Sequence, residues 1–342
     1  MEVAEKSYCE LDFFDEILSK RKEEGPYAFL YKFLRRNCNI YLDIDKETFD
    51  QRRAQSSIYH SLWKRENLSF KAKLGWQQRI NKEELVDEVF FVNKDKSKEA
   101  KLQREEYGVL VIANNENDLA YFKRISRTQP FILVPQKERI DGQNITYPNS
   151  WGEVFDKIKL TPINAILITD NYMFGDKFND RKEYSLYSIL RSIAPKGLKR
   201  PLHITLFVEN SPDKNTLRVP LSKKDAEKVI EEIKGPKLCD DVKVTIVAHN
   251  IRPITHDRKI ITNYGYLESG AGFSIIDRNG ICQVAEGSMQ SVASSVDSSY
   301  TVRTLQVLHI KWLEKLFTQE EGGGATYSYI VGDKINRLFL DQ

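Results

Sequence analysis

INAILIT (163–169), KEYSLYSILRSI (182–193), LHITLFV (202–208), SKKDAEKVIEEIK (222–234) and VKVTIVA (242–248) follow one another with short connections. The first, third and fifth are short runs rich in β-branched residues, the length of a buried strand. The other two are longer and carry apolar residues three and four apart, the spacing of a helix, with Ser222 placed to cap one of them. Strand and helix in alternation imply a mainly parallel sheet covered on both faces, an α/β fold.

C-terminal to this core the alternation stops after Asn250. RKIIT (258–262) and GFSIID (272–277) read as two closely spaced strands, which makes the sheet mixed. VAEGSMQSVASSVDSS (284–299) is rich in small residues and reads as a loop. Residues 301–317 are expected to form an amphipathic helix, and TYSYIVGDKINRLFL (326–340) a strand or short helix.

In the N-terminal direction QKERIDGQNITYPNS (136–150) reads as a connection between domains. Before it lie strand candidates FILVP (131–135), GVLVIAN (108–114), EVFFVN (88–93) and NIYLDI (39–44), with NDLAYFKRI (117–125) as a helix. Two helical pieces, carrying Leu11, Phe14, Leu18 and then Phe29, Leu30, Phe33, Leu34, are separated at Gly25-Pro26. The polar stretch through Trp63 and Trp76 reads as helical. The expected organisation is therefore a smaller α/β domain of unassigned role over 1–148 and a larger one over 149–342. KDKSKEAKLQREE (94–106) is almost wholly charged or polar. It reads as a solvated helix or loop, with a phosphate-contacting basic segment as the alternative.

Composition bounds the function classes. The 342 residues are 41% hydrophobic, as in a globular protein, and 52 Lys and Arg stand against 49 Asp and Glu for a net charge of +3. That balance is not the footprint of a strongly basic nucleic-acid binder, although a local basic face is compatible with it. Cys9, Cys38, Cys239 and Cys282 form no CxxC pair, so neither zinc nor a disulfide scaffold is expected. The start, MEVAEKSYCELDFFDEIL, lacks a secretory pattern, and no apolar run approaches the roughly 20 residues of a membrane helix. A cytoplasmic protein is expected.

The residues that carry chemistry are in HDRKIITNYGYLESG (256–270), which spells H-x-R-x4-N-x6-G through His256, Arg258, Asn263 and Gly270. Residues i and i+2 of a strand share a face, so His256 and Arg258 can reach one phosphate. An imidazole can attack phosphorus while a guanidinium stabilises charge on its oxygens. Gly270 and Gly272 would let backbone approach the phosphate.

This spacing resembles the H-x-K-x4-D-x6-G-S motif of the phospholipase D superfamily, with Arg258, Asn263 and Ala271 replacing Lys, Asp and Ser; Asn at that position is similar to the tyrosyl-DNA phosphodiesterase branch. The order of elements over residues 150–280 also resembles the phospholipase D-like domain at the C-terminus of MIT-domain proteins. There D-P-Y, H-D-R and G-R-G-L stand where this chain has Asp170-Asn171-Tyr172, His256-Asp257-Arg258 and Gly270-Ala271-Gly272-Phe273. Residues 1–150 do not resemble a three-helix MIT domain.

The resemblance implies His256 as nucleophile, Arg258 as phosphate clamp and Asn263 as an orienting group. Ser269, Gly270 and Gly272 would contact phosphate, supported by Asp170 and Asp257. With one motif copy, the single-motif nucleases of that superfamily form a homodimer in which one histidine attacks and its symmetry mate is the general acid. No metal or cofactor is implied, nucleic acid is the expected substrate, and a microbial defence system is the context suggested by analogy alone. The second reading is a non-catalytic phosphate- or phosphoinositide-binding adaptor or scaffold in a larger protein assembly. Membrane contact is not favoured, because Ala271 stands where that family has a basic residue.

Several rivals carry less. His309-x-Lys311 lies in LQVLHIKWLEKLF at helical spacing and reads as the edge of a packed helix. His60, His203 and His249 stand alone and read as structural. Asp170 follows a strand, where α/β folds place functional groups, or caps a helix. Asp43 and Asp45 have no further carboxylate at a metal-binding spacing.

Overall fold

The computed structural model describes residues 5–23, 25–57, 59, 68–70, 76–77, 88–126, 129–132, 150–152, 155, 161–170, 173–174, 182–210, 220–235, 239–249, 258–270, 273, 276–279, 289–294, 296, 300–321 and 327–339. The fold is α/β, built on two sheets.

The first sheet is wholly parallel. Its strands β1 (Glu5–Cys9), β2 (Cys38–Leu42), β3 (Leu68–Phe70), β4 (Val89–Val92) and β5 (Val111–Ala113) take the order β3-β2-β1-β4-β5. α1 (Leu11–Lys20), α2 (Pro26–Asn37) and α3 (Lys46–Gln55) cover one face with Phe13, Phe14, Phe33 and Phe49. Gly25, at φ +139°, admits the chain to α2, and Pro26 occupies its first turn. The expected solvated segment forms α4 (Ser97–Glu106), of which only Ala100 is buried, against the other face. α5 (Glu116–Ile125) is capped by Asn115 and returns to the first face through Leu119 and Phe122.

Two strands here depart from expectation. β1, the central strand, is EKSYC, whose charged and polar residues hide it; Tyr8 and Cys9 are nonetheless fully buried. β3 falls within the polar stretch expected to be helical, because a three-residue strand leaves no periodicity to read.

The second sheet is mixed and has eight strands. β7 (Ala165–Thr169), β8 (Leu202–Glu209) and β9 (Val242–His249) are parallel, as the alternation implied. β13 (Tyr329–Gly332) pairs antiparallel outside β9. On the other side lie β10 (Arg258–Thr262), β11 (Gly265–Ser269), β12 (Met289–Ser294) and β6 (Gln129–Ile132), all antiparallel. α6 (Leu186–Ile193) and α7 (Lys223–Lys234), with its Ser222 cap, cover one face. α8 (Tyr300–Glu321) covers the other through Ile310, Leu313 and Leu316.

Three corrections follow. The hairpin partner of β10 is Gly265–Ser269, not residues 272–277, because a tight turn at Asn263-Tyr264 sends the chain straight back. The region 284–299 contains a strand, β12, held by backbone pairing to β11 and β6 despite its small side chains. β6, placed within the expected N-terminal domain, pairs into the second sheet, so hydrogen bonding crosses the division at residue 148. WGEVFDKIKL (151–160), which reads as a helix, lies mostly outside the described residues.

The two sheets meet at the amino ends of their strands. The Tyr264 hydroxyl donates to Glu88 O (2.8 Å) and accepts from Leu110 N (3.1 Å), at the starts of β4 and β5. Asn164 Nδ2, just before β7, donates to Tyr107 O and Gly108 O (3.2 and 3.1 Å). Arg303 of α8 faces Glu5, at the start of β1, at 3.3 Å with both side chains buried. Tyr264 and Val296 belong to the core of the first sheet. The carboxyl ends of both parallel sets therefore run away from the junction.

No described helix is long and apolar enough to cross a membrane. Cys9, Cys38 and Cys239 are buried thiols outside any disulfide, and burial pushes Cys9 and Cys38 well up from the ordinary thiol range.

Candidate functional site

In open α/β sheets ligands meet the carboxyl ends of the strands. β10 runs antiparallel to β7 with Lys259 opposite Thr169, so Arg258, at the start of β10, arrives beside Asp170, which follows β7. Lys259 N is tied to Thr169 Oγ1 at 3.1 Å, which fixes that register. On its other side Arg258 pairs with Ser269, so the end of β11 lies against it.

The guanidinium is held rather than loose. Arg258 Nη1 donates to Gly270 O at 2.7 Å, and Nε stands 3.9 Å from Asp170 Oδ1, with the two side chains 17% and 6% exposed. A forked guanidinium anchored at one end and faced by a carboxylate is oriented in advance for an oxyanion. Ser269 is fully buried, and Gly270 is exposed. A Cβ added at Gly270 would meet nothing within 4 Å, so the space beside that backbone is open. Asp170 caps no described helix; its carbonyl accepts from Met173 N at 3.3 Å in a turn.

The structure thus brings Arg258, Asp170, Ser269 and Gly270 together. It does not bring Asn263 to them. Asn263 is five residues further along the strand, about 16 Å at roughly 3.3 Å per residue. Its Oδ1 accepts from Asn164 N at 3.1 Å, its Nδ2 donates to Gly108 O at 2.9 Å, and it is fully buried. Instead of orienting groups around Arg258, this side chain joins the two sheets. His256, Asp257 and Gly272 lie outside the described residues, as does His60.

The face of β10 opposite Arg258 carries a separate polar group under α8. Buried Lys259 Nζ lies 3.2 Å from Glu268 Oε1, and Tyr266 OH stands 3.3 Å from His309 Nδ1. Burial and the Lys259 ammonium lower His309 from the ordinary histidine range. His309-x-Lys311 is on a packed helix, as its spacing indicated. His203 is buried on β8, its Nδ1 without a hydrogen bond, and burial with Arg337 nearby lowers it to about 4.

At the carboxyl edge of the first sheet the acidic residues are individually engaged. Asp43 accepts from Tyr8 OH at 2.7 Å, Asp45 caps α3 through Thr48 N at 2.7 Å, and Glu10 accepts from Asn93 N at 2.5 Å. Burial raises the Glu10 carboxyl above its usual range. Among the described residues no three His, Cys, Asp or Glu side chains are placed to hold a metal ion.

Residues that sequence reasoning passed over include Tyr264, Asn164 and Gly108. Gly108 has φ +65°, and a Cβ there would come within 2.4 Å of Ile163 O. The one available signal was a glycine opening a strand-like run, which can mark close backbone approach. No family model matches the chain, and no curated protein matches it.

Proposed function

We propose that this chain is a phospholipase D-like protein that engages the phosphodiesters of nucleic acid, with Arg258 as the phosphate clamp and His256 as the nucleophile. One observation carries the reading: Arg258 stands at the carboxyl edge of the second sheet, aimed by Gly270 O and Asp170, in the motif whose spacing prompted the expectation. Hydrolysis would need two imidazoles, one to attack phosphorus and one to protonate the leaving oxygen, so a homodimer with His256 near its two-fold axis is part of the proposal.

The test is to incubate the purified protein with single- and double-stranded DNA and RNA in EDTA, beside His256→Ala and Arg258→Ala. The expected result is cleavage by the parent alone. Arg258→Ala should also weaken binding and lower the salt dependence of affinity by about one phosphate contact. Parent protein that neither binds nor cuts any of the four would end the reading, and a monomer in sedimentation would end the paired-histidine mechanism.

A second reading, a non-catalytic phosphate-binding module, is favoured by the Asp170 carboxylate, which already offsets part of the Arg258 charge. Binding without cleavage would identify it.

A further inference from the structure

We propose that the cleft between α4 and α5 binds a small phosphate compound carrying two or more phosphoryl groups. The cleft encloses about 620 Å³ and is bounded by α4, the start of α5 and Thr161-Pro162. That volume lies in the usual range for ligand sites of roughly 300–1,000 Å³ and exceeds what one orthophosphate fills.

Its charge is set by α4. Lys98, Lys101 and Arg104 recur every three residues along the wall of the cleft. Like charges at that spacing repel and disfavour the helix, unless something else on the surface compensates. The carboxylates present do so only in part. Asp118 is fully committed: both oxygens take Arg104, at 3.0 and 2.9 Å, and one also accepts Ala113 N at 2.9 Å. Glu105 reaches Lys101 only at 3.8 Å, with both side chains about two-thirds exposed, a contact of little strength. Among the described residues Lys98 makes no ion pair. Two ammonium groups therefore face the cleft against one loosely held carboxylate.

The remaining walls fit a charge-dense ligand better than an aromatic one. The Tyr121 ring already lies 5.2 Å from the Arg104 guanidinium and 5.5 Å from that of Arg124. It therefore adds cations near the cleft rather than an uncommitted stacking surface. Asn117, with the positive end of α5 behind it, supplies amide donors suited to phosphoryl oxygens. This site is independent of Arg258, which lies at the opposite end of β7 from Pro162.

The experiment is calorimetric titration of the full chain, at low salt, with tripolyphosphate, ATP, orthophosphate and sulfate. Saturable binding of tripolyphosphate or ATP, well above that of orthophosphate and sulfate, is expected; equal binding of both would show that the phosphates alone are read. The double variant Lys98→Glu/Lys101→Glu should lose at least about tenfold in affinity. Lys98→Arg/Lys101→Arg and the exposed control Lys223→Glu/Lys224→Glu should each bind like the parent. No saturable binding by the parent overturns the proposal. So does an equal loss in the Lys223/Lys224 control, which would reveal general electrostatics. Matching unfolding midpoints would confirm that the variants are folded.

Discussion

Asn263→Asp restores the acidic residue usual in the phospholipase D motif, yet the structure makes it a damaging change. The parent side chain must do two opposite things: Oδ1 accepts from Asn164 N and Nδ2 donates to Gly108 O, both out of water. A carboxylate can do the first but not the second, and no cation is among these partners. The buried acid is therefore driven to hold its proton and donate that to Gly108 O. Its folded pKa then rises above the unfolded value near 3.9, so the variant loses stability relative to the parent as pH rises above about 4. Keeping the proton costs about 1.5 kcal/mol at pH 5 and about 4 kcal/mol at pH 7, at roughly 1.36 kcal/mol per pH unit. Asn263→Ala behaves differently. It orphans Asn164 N, while Gly108 O keeps its bond from Asn164 Nδ2, for a loss of about 1–3 kcal/mol at every pH. Urea unfolding of parent and both variants at pH 5, 6 and 7, followed by circular dichroism, reads these differences directly. An Asn263→Asp protein as stable as the parent at pH 7, or one whose deficit does not change with pH, would refute the account of this junction.

Three further outcomes are expected. Gly108→Ala should destabilise by about 2 kcal/mol or more in the same assay, since it combines a left-handed φ with a close approach to Ile163 O. Arg104→Ala leaves the largely buried Asp118 without its cation and should lose about 3–5 kcal/mol, with Arg104→Lys recovering only part. His203 has a folded pKa of about 4, below its unfolded value, so its contribution is complete above pH 6.5 and disappears as pH falls toward 4. The loss reaches about 3 kcal/mol, and His203→Leu should flatten the acid limb of the stability profile by that amount.

The centre of the second sheet was legible because β7, β8 and β9 are buried on both faces, which forces continuous β-branched runs that nothing else explains. β11 and β12 were not. GYLES and MQSVAS owe their place to neighbours on both sides, and backbone pairing leaves no mark on composition. β1 was hidden because its buried Glu5 is matched by Arg303, nearly 300 residues away in the chain. At the site, the two-residue step from His256 to Arg258 is an expectation about one strand face, of which the described residues include only Arg258. The five-residue step to Asn263 was readable as a distance: an extended chain carries it too far to share a phosphate with Arg258.

The crossing of β6 into the second sheet has a practical side. A fragment starting at residue 149 would leave β12 with one bare edge, a template for intermolecular pairing. A fragment ending at 148 would carry an orphaned strand and lose Tyr264 and Val296 from its interior. Neither half should stay in solution by itself, and any exchange of parts between relatives would have to carry both halves as one inheritance.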